Sequence, residues 1–183
     1  FQAYQQVDRQ YFDINHLKDY WKWLENKIEA NIIIEIDPSL NANSEIEKLK
    51  TIVNKKKSSI KYLEQNPIDS LWSDQPSYPQ SKVFIQEEKY AGETAKDKIY
   101  KIQTILESNF IDYYILTSLD SIAWLLNIRG NDIKHTPLIH SFAIVPRNGK
   151  IEYFVDEKKV INVKKQLESF VNFHSFISIK DYL

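Results

Sequence analysis

Cysteine and methionine are both missing from this 183-residue chain. Without cysteine there can be no disulfide, no thiolate metal site and no thiol nucleophile. A reducing compartment fits that absence, and a cytoplasmic location is the expectation. Without methionine, translation cannot begin at Phe1, so the chain is expected to be an excerpt of a longer protein. Glycine is scarce: only Gly92, Gly130 and Gly149 occur. That excludes the Gly-x-Ser-x-Gly nucleophile elbow, the dinucleotide-binding fingerprint and the phosphate loop. No apolar run approaches the roughly 18–20 residues of a membrane span. The start of the chain lacks the basic-then-apolar pattern of a secretory signal. Charge of one sign is also lacking, since the formal net charge is -1. No global field therefore favours nucleic acid or an anionic membrane, and neither is expected as a partner.

What is present is ordinary globular material. Hydrophobic residues make up 43% and charged residues 27%, enough for one substantial core or two small ones. Ile14, Leu17, Trp21, Leu24 and Ile28 recur at helical spacing and predict an amphipathic helix. Ile32, Ile33, Ile34 and Ile36 read as a buried strand closed by Asp37-Pro38. Ser44, with Glu47 three residues on, predicts a capped helix that carries Ile46, Leu49, Ile52 and Val53 on one side. A short strand is expected over 59–63. Three prolines between Asn66 and Pro79 interrupt regular structure, and a domain boundary is placed near residues 80–90.

The second half repeats the alternation. A helix is predicted over 94–107, with Ile99, Ile102, Ile105 and Leu106 inward. Residues 111–116 read as a strand. Thr117 or Ser118 caps a helix through Ile122-Ala123-Trp124-Leu125-Leu126, in which Trp124 is expected in the core. Strands over 141–145 and 151–155 flank Asn148-Gly149, a hairpin signal. Asp156 caps a last helix with Val160, Val163, Leu167 and Phe170 inward, and a strand follows over 171–176. Strands alternating with helices, plus one hairpin, predict an α/β fold with mixed sheets and packed helices.

The histidines, His16, His135, His140 and His174, form no His-Glu-x-x-His motif and show no recognised ligand spacing. No metal site and no catalytic residue are assigned within the chain. Lys55-Lys56-Lys57 ends a helix, where cations suit the helix dipole. Arg129-Gly130-Asn131-Asp132 is the candidate site. In one reading Gly130 adopts a left-handed turn that stops the helix, and Arg129 caps its carbonyls or pairs with Asp132. In the other, Arg129 and Asp132 face a substrate cleft.

One segment carries a resemblance. Leu119-Asp120-Ser121-Ile122-Ala123-Trp124-Leu125 followed by Asn127-Ile128-Arg129-Gly130-Asn131-Asp132-Ile133 resembles the second domain of long-form Xaa-Pro aminopeptidases. The family reads there Leu-Asp-x-Ile-Ala-Trp-Leu, then Asn-Leu-Arg-Gly-x-Asp-Ile. Thr136-Pro137, Ser141-Phe142-Ala143-Ile144-Val145 and Phe154-Val155-Asp156 look like further family segments. Ile68 through Pro76 resembles the segment that joins the first two family domains, and Gly92 through Ile99 the start of the second. Residues 1–66 match only loosely.

The resemblance implies two creatinase-like N-terminal domains, the first partial over 1–80 and the second over 81–183. It further implies a third domain outside this chain. That domain would hold two divalent metal ions, manganese, and hydrolyse the bond before proline with metal-activated water. The chain's own role would be to position that domain, to restrict the cleft where Arg129 and Asp132 meet short proline-containing peptides, and to make homodimer contacts. By itself it is expected to be inactive. The alternative is a stand-alone protein-interaction module of the same fold with no peptidase activity.

Overall fold

The structure, a computed structural model, describes residues 2–183. The chain divides into two compact units, residues 1–76 and 77–183. Each is an α/β arrangement.

The first unit runs α1 (Gln2–Gln6), a 3-10 turn (Leu17–Asp19), α2 (Tyr20–Lys27), β1 (Ile33–Ile36), α3 (Asn43–Lys55), β2 (Ser59–Tyr62) and α4 (Pro67–Leu71). β1 and β2 pair in parallel, Ile34 opposite Ile60. The core is small: Ile28, Leu49, Ile52 and Val53 are buried, with Trp21, Leu24, Ile34 and Ile36 packed against them. Three expectations are corrected here. The helix predicted from Ile14 forms only over α2, and Leu17 is 87% exposed in the turn that precedes it. β1 is not a buried strand, because Ile33 is 67% exposed. Successive strand residues face opposite ways, and only the Ile34/Ile36 face packs against this core. Finally, α3 is capped at Ala42 and not at Ser44. Glu45 Oε2 accepts the Ala42 N–H at 3.1 Å, while the Glu45 N–H donates to the Ala42 carbonyl at 2.9 Å.

The second unit runs β3 (Phe84–Ile85), α5 (Glu88–Ala91), α6 (Ala95–Ser108), β4 (Tyr113–Leu116), α7 (Leu119–Leu125), β5 (Ile128–Arg129), β6 (Phe142–Pro146), β7 (Ile151–Phe154), α8 (Glu157–Val160), α9 (Lys164–Leu167), β8 (Val171–His174), a 3-10 turn (Phe176–Ser178) and α10 (Ile179–Tyr182). Its main sheet has the order β4-β6-β7-β8. β6 is antiparallel to both β4 and β7, and β8 is parallel to β7. β3 and β5 form a separate antiparallel pair. Alternation explains the core. Ala143, Val145, Ile151 and Tyr153 join Ile99, Leu106, Ile122, Leu125 and Leu167 in one cluster. Ile144 and Phe154 are also buried but lie outside that cluster, and Phe154 stacks against His174 and meets Tyr182 edge-on.

The expected hairpin forms as β6 and β7, and Asp156 caps α8 by accepting the Lys158 N–H at 2.9 Å. The last helix is two short ones, α8 and α9, although Val160, Val163 and Leu167 do point inward. Ile105, predicted inward on α6, is 60% exposed.

Candidate functional site

The segment from Leu125 to Asp132 is built by its own backbone and by buried polar partners. α7 ends because Asn127 takes the left-handed conformation, φ 50°. Its side chain then holds the end in place. Asn127 Nδ2 donates to the Glu93 carbonyl at 2.8 Å, and its Oδ1 accepts from Lys98 Nζ at 2.6 Å. Lys98, buried on α6, also donates to the Trp124 carbonyl at 2.8 Å and lies 4.4 Å from the Trp124 ring centre. Burial pushes the Lys98 amine below its usual range, with Glu93 opposing and Arg129 adding to the shift. Trp124 itself is 51% exposed, contrary to the core placement expected of it. The buried face of the short helix is taken by Ile122, Ala123 and Leu125, and the indole covers Lys98 instead.

Arg129 caps the helix. Its Nη1 donates to the Ala123 carbonyl at 2.9 Å and to its own neighbour Ile128 at 2.7 Å. Gly130 does not supply the left-handed turn, which belongs to Asn127. What Gly130 supplies is room: a Cβ there would lie 1.9 Å from Cδ1 and 2.4 Å from Cγ1 of Ile139.

Asp132 pairs with Lys159 and not with Arg129. Lys159 Nζ donates to Asp132 Oδ2 at 2.6 Å, and the two side chains are 4% and 0% exposed. The His140 N–H donates to the same oxygen at 2.8 Å. Ser81 donates to Oδ1 from its hydroxyl at 2.8 Å and its N–H at 3.2 Å, and its hydroxyl accepts the Asn131 N–H at 2.9 Å. Burial opposes ionisation of Asp132. The hydrogen bonds from Lys159, His140 and Ser81, with the lysine charge, outweigh it and hold the carboxyl below its usual range. Arg129 and Asp132 thus lie on one short segment but in separate hydrogen-bond networks.

Behind this network a cavity of about 570 Å³ opens, lined by His140, Lys159, Tyr78, Phe173, His174 and Phe176 among others. Sequence reasoning did not anticipate it, because its walls come from four separate stretches. Of the four histidines only His140 and His174 share this lining. His16 and His135 are exposed, and His174 Nε2 meets Glu152 Oε2 at 2.5 Å. Among the described residues no three His, Asp or Glu side chains come together as a metal-holding set. Lys55 pairs with Glu25 at 2.8 Å on the surface of the first unit. No described helix is long and apolar enough to cross a membrane.

Comparison with known proteins places these features. Residues 74–183 match the family model of the creatinase/prolidase N-terminal domain. A probable Xaa-Pro aminopeptidase P of Leptosphaeria maculans is 32% identical over 161 residues, covering 88% of this chain and 27% of that protein. A probable Xaa-Pro aminopeptidase P of Paracoccidioides lutzii is 30% identical over 183 residues, covering 97% of this chain and 30% of that one. The crystal structure of an X-prolyl aminopeptidase from Caenorhabditis elegans, described as a cytosolic enzyme with a di-nuclear active site, superposes with a TM-score of 0.78. It is 24% identical, over 97% of this chain and 28% of that one, and shares the fold. The chain spans less than a third of the length of each of these relatives.

Proposed function

This chain belongs to the creatinase/prolidase N-terminal domain family, and from that premise we propose that it is the non-catalytic front region of an Xaa-Pro aminopeptidase. One observation carries the reading. The chain aligns along 97% of its own length with a probable Xaa-Pro aminopeptidase P while covering only 30% of that protein. In this reading residues 1–80 are the latter part of a first creatinase-like domain and 81–183 are the second.

The whole enzyme would release the N-terminal residue before proline, using two divalent metal ions, manganese, in the cytoplasm. The residues present here do not form a holder for such ions, since no three ligating side chains converge among the described residues. No chemical step is therefore assigned to this chain. Its part is to position the catalytic domain, to narrow the approach so that short peptides enter, and to contribute homodimer contacts. Arg129 and Asp132 keep the cleft-facing segment rigid, Arg129 from the end of α7 and Asp132 from the buried Lys159 pair. A rigid wall limits substrate size because a folded chain cannot enter beside it.

The test is hydrolysis of a short Xaa-Pro-Pro peptide by the purified chain, with and without manganese. No turnover above a mock-purified control is expected. Manganese-dependent turnover that follows the protein through purification would overturn the assignment of chemistry to residues outside 1–183. A companion assay uses the same chain joined to the catalytic region of a relative. Turnover there is expected, and turnover that the front region neither raises nor restricts by peptide length would count for the interaction-module alternative.

A further inference from the structure

We propose that the free edge of β4 is a self-pairing interface, at which two copies of this chain join antiparallel about a two-fold axis at Tyr114. β4 is an end strand of the four-stranded sheet: β6 pairs with one side of it, and no described strand pairs with the other. Its sequence, Tyr113-Tyr114-Ile115-Leu116, has no charge and no proline, the devices that keep an open edge from pairing. The run from Phe110 to Ile115, apolar except for Asp112, is exposed throughout, with Phe110 at 87% and Tyr113 at 62%. A continuous patch of large apolar side chains marks an interaction surface. Phe110 also holds the left-handed conformation, φ 56°, which bulky residues disfavour, and its ring gains no burial within this chain.

The backbone sets how a partner sits. The Arg147 N–H donates to the Asp112 carbonyl at 2.8 Å, and hydrogen-bonded pairs alternate along an antiparallel ladder. Asp112, Tyr114 and Leu116 therefore turn their N–H and C=O toward β6, while Tyr113 and Ile115 turn theirs to the free edge. Pro146 lies opposite Tyr113, where the ladder needs no N–H.

The two outward residues are symmetric about Tyr114. A second β4 running antiparallel sets Tyr113 against Ile115 of the partner subunit and Ile115 against the partner subunit's Tyr113, and each pair can exchange two N–H···O bonds. The side chains match as well. Tyr113 and Ile115 share the sheet face of Ile144, so each pair is aromatic against β-branched, a favoured cross-strand kind. The two Tyr114 rings meet on the other face. Asp112 falls opposite Leu116 of the partner subunit, and its charge is met by Arg147 at 3.1 Å, so no like charges oppose. An edge complementary to itself favours a second copy over an unrelated strand. Four-residue edges make less contact than the roughly 1,200 Å² that a stable complex buries, so the dimer is a weak one. The inference rests on the homodimer contacts of the proposed function and gives them a place. The peptidase reading has its own assay, so either can fail alone.

The experiment is sedimentation equilibrium of the 183-residue chain from about 5 to 500 μM, a range that brackets a weak interface, together with amide hydrogen exchange by NMR. A monomer–dimer equilibrium is expected. Exchange at Tyr113 and Ile115 should slow as concentration rises, while Tyr114 and Leu116, already bonded to β6, should not change. Tyr114→Lys and Tyr114→Glu each set like charges directly opposite at the axis, and each should weaken association at least about tenfold. Mixed together, the two variants set lysine against glutamate and should associate again, a recovery that misfolded chains could not give. Tyr113→Pro removes an outward N–H, leaves the ladder to β6 intact and should also weaken association. A chain that is monomeric throughout would overturn the second copy as occupant of this edge. A dimer indifferent to all three variants would overturn the place, and growth beyond the dimer would overturn the two-fold pairing.

Discussion

Asp132 has its principal partner far along the chain. Removing one member of a buried ion pair leaves the other charged and unpaired, at about 3–5 kcal/mol. Asp132→Asn should therefore lower stability by about that much at neutral pH, measured by urea denaturation. The pH dependence has a definite sign. The carboxyl is held below its usual range in the folded chain, so its stabilisation is complete above the ordinary aspartate pKa of about 4. It is lost as pH falls through the lower folded-state value. The gap between the natural chain and Asp132→Asn should narrow as pH falls below about 4. A gap that stays constant over that range would mean that Asp132 is not held as a carboxylate. Sequence reading singled out Asp132 and Arg129 because they share a distinctive segment. It could not find Lys159, 27 residues away on another element, since no local spacing announces a partner brought close by the sheet. The conformational freedom of glycine suggests a turn at Gly130, whereas its use is the space it leaves for Ile139.

The end of α7 depends on one residue doing two things. Asn127 adopts the left-handed conformation and also links Lys98 to the Glu93 carbonyl. Two substitutions separate these roles. Asn127→Gly keeps the backbone shape and loses the links, leaving buried Lys98 short of an acceptor at about 1–3 kcal/mol. Asn127→Ala loses the links and must also hold a left-handed alanine, a further cost of about 1 kcal/mol. Both variants should be less stable than the natural chain in chemical denaturation, with alanine the worse. Equal stability of the two would show that the backbone conformation contributes nothing. Elements with a local cause were legible in advance: Asn148-Gly149 marked the hairpin, and Asp156 marked the cap of α8. The helix from Ile14 was not legible. Periodic apolar spacing predicts which face would be buried if a helix forms, but Leu17 has nothing in the first unit to pack on. Trp124 failed for a related reason, since a seven-residue helix buries a narrow face and the indole serves better over Lys98.

At the scale of the whole chain, the two units differ in how well each can stand alone. Residues 77–183 have a four-stranded mixed sheet, and 18 buried residues form their cluster among those described. Residues 1–76 have a two-stranded parallel sheet and four. Two strands are marginal without further packing, and domains of this size bury a smaller share of their surface than larger ones do. Burial of apolar area stabilises by roughly 25 cal/mol per Å² and must exceed the entropy lost on ordering each residue. A larger cluster on a wider sheet meets that condition more readily than a four-residue cluster under two strands. The β1 residues fit this account, because a strand rich in isoleucine is half exposed where only one face has a core to cover. Residues 77–183 produced alone should therefore unfold in a single cooperative urea transition with dispersed amide resonances. Residues 1–76 alone should show a broad, weakly cooperative loss of helical signal. Cooperative unfolding of 1–76 would mean that its small core suffices. A loss of cooperativity in 77–183 would mean that its sheet needs the first unit to close.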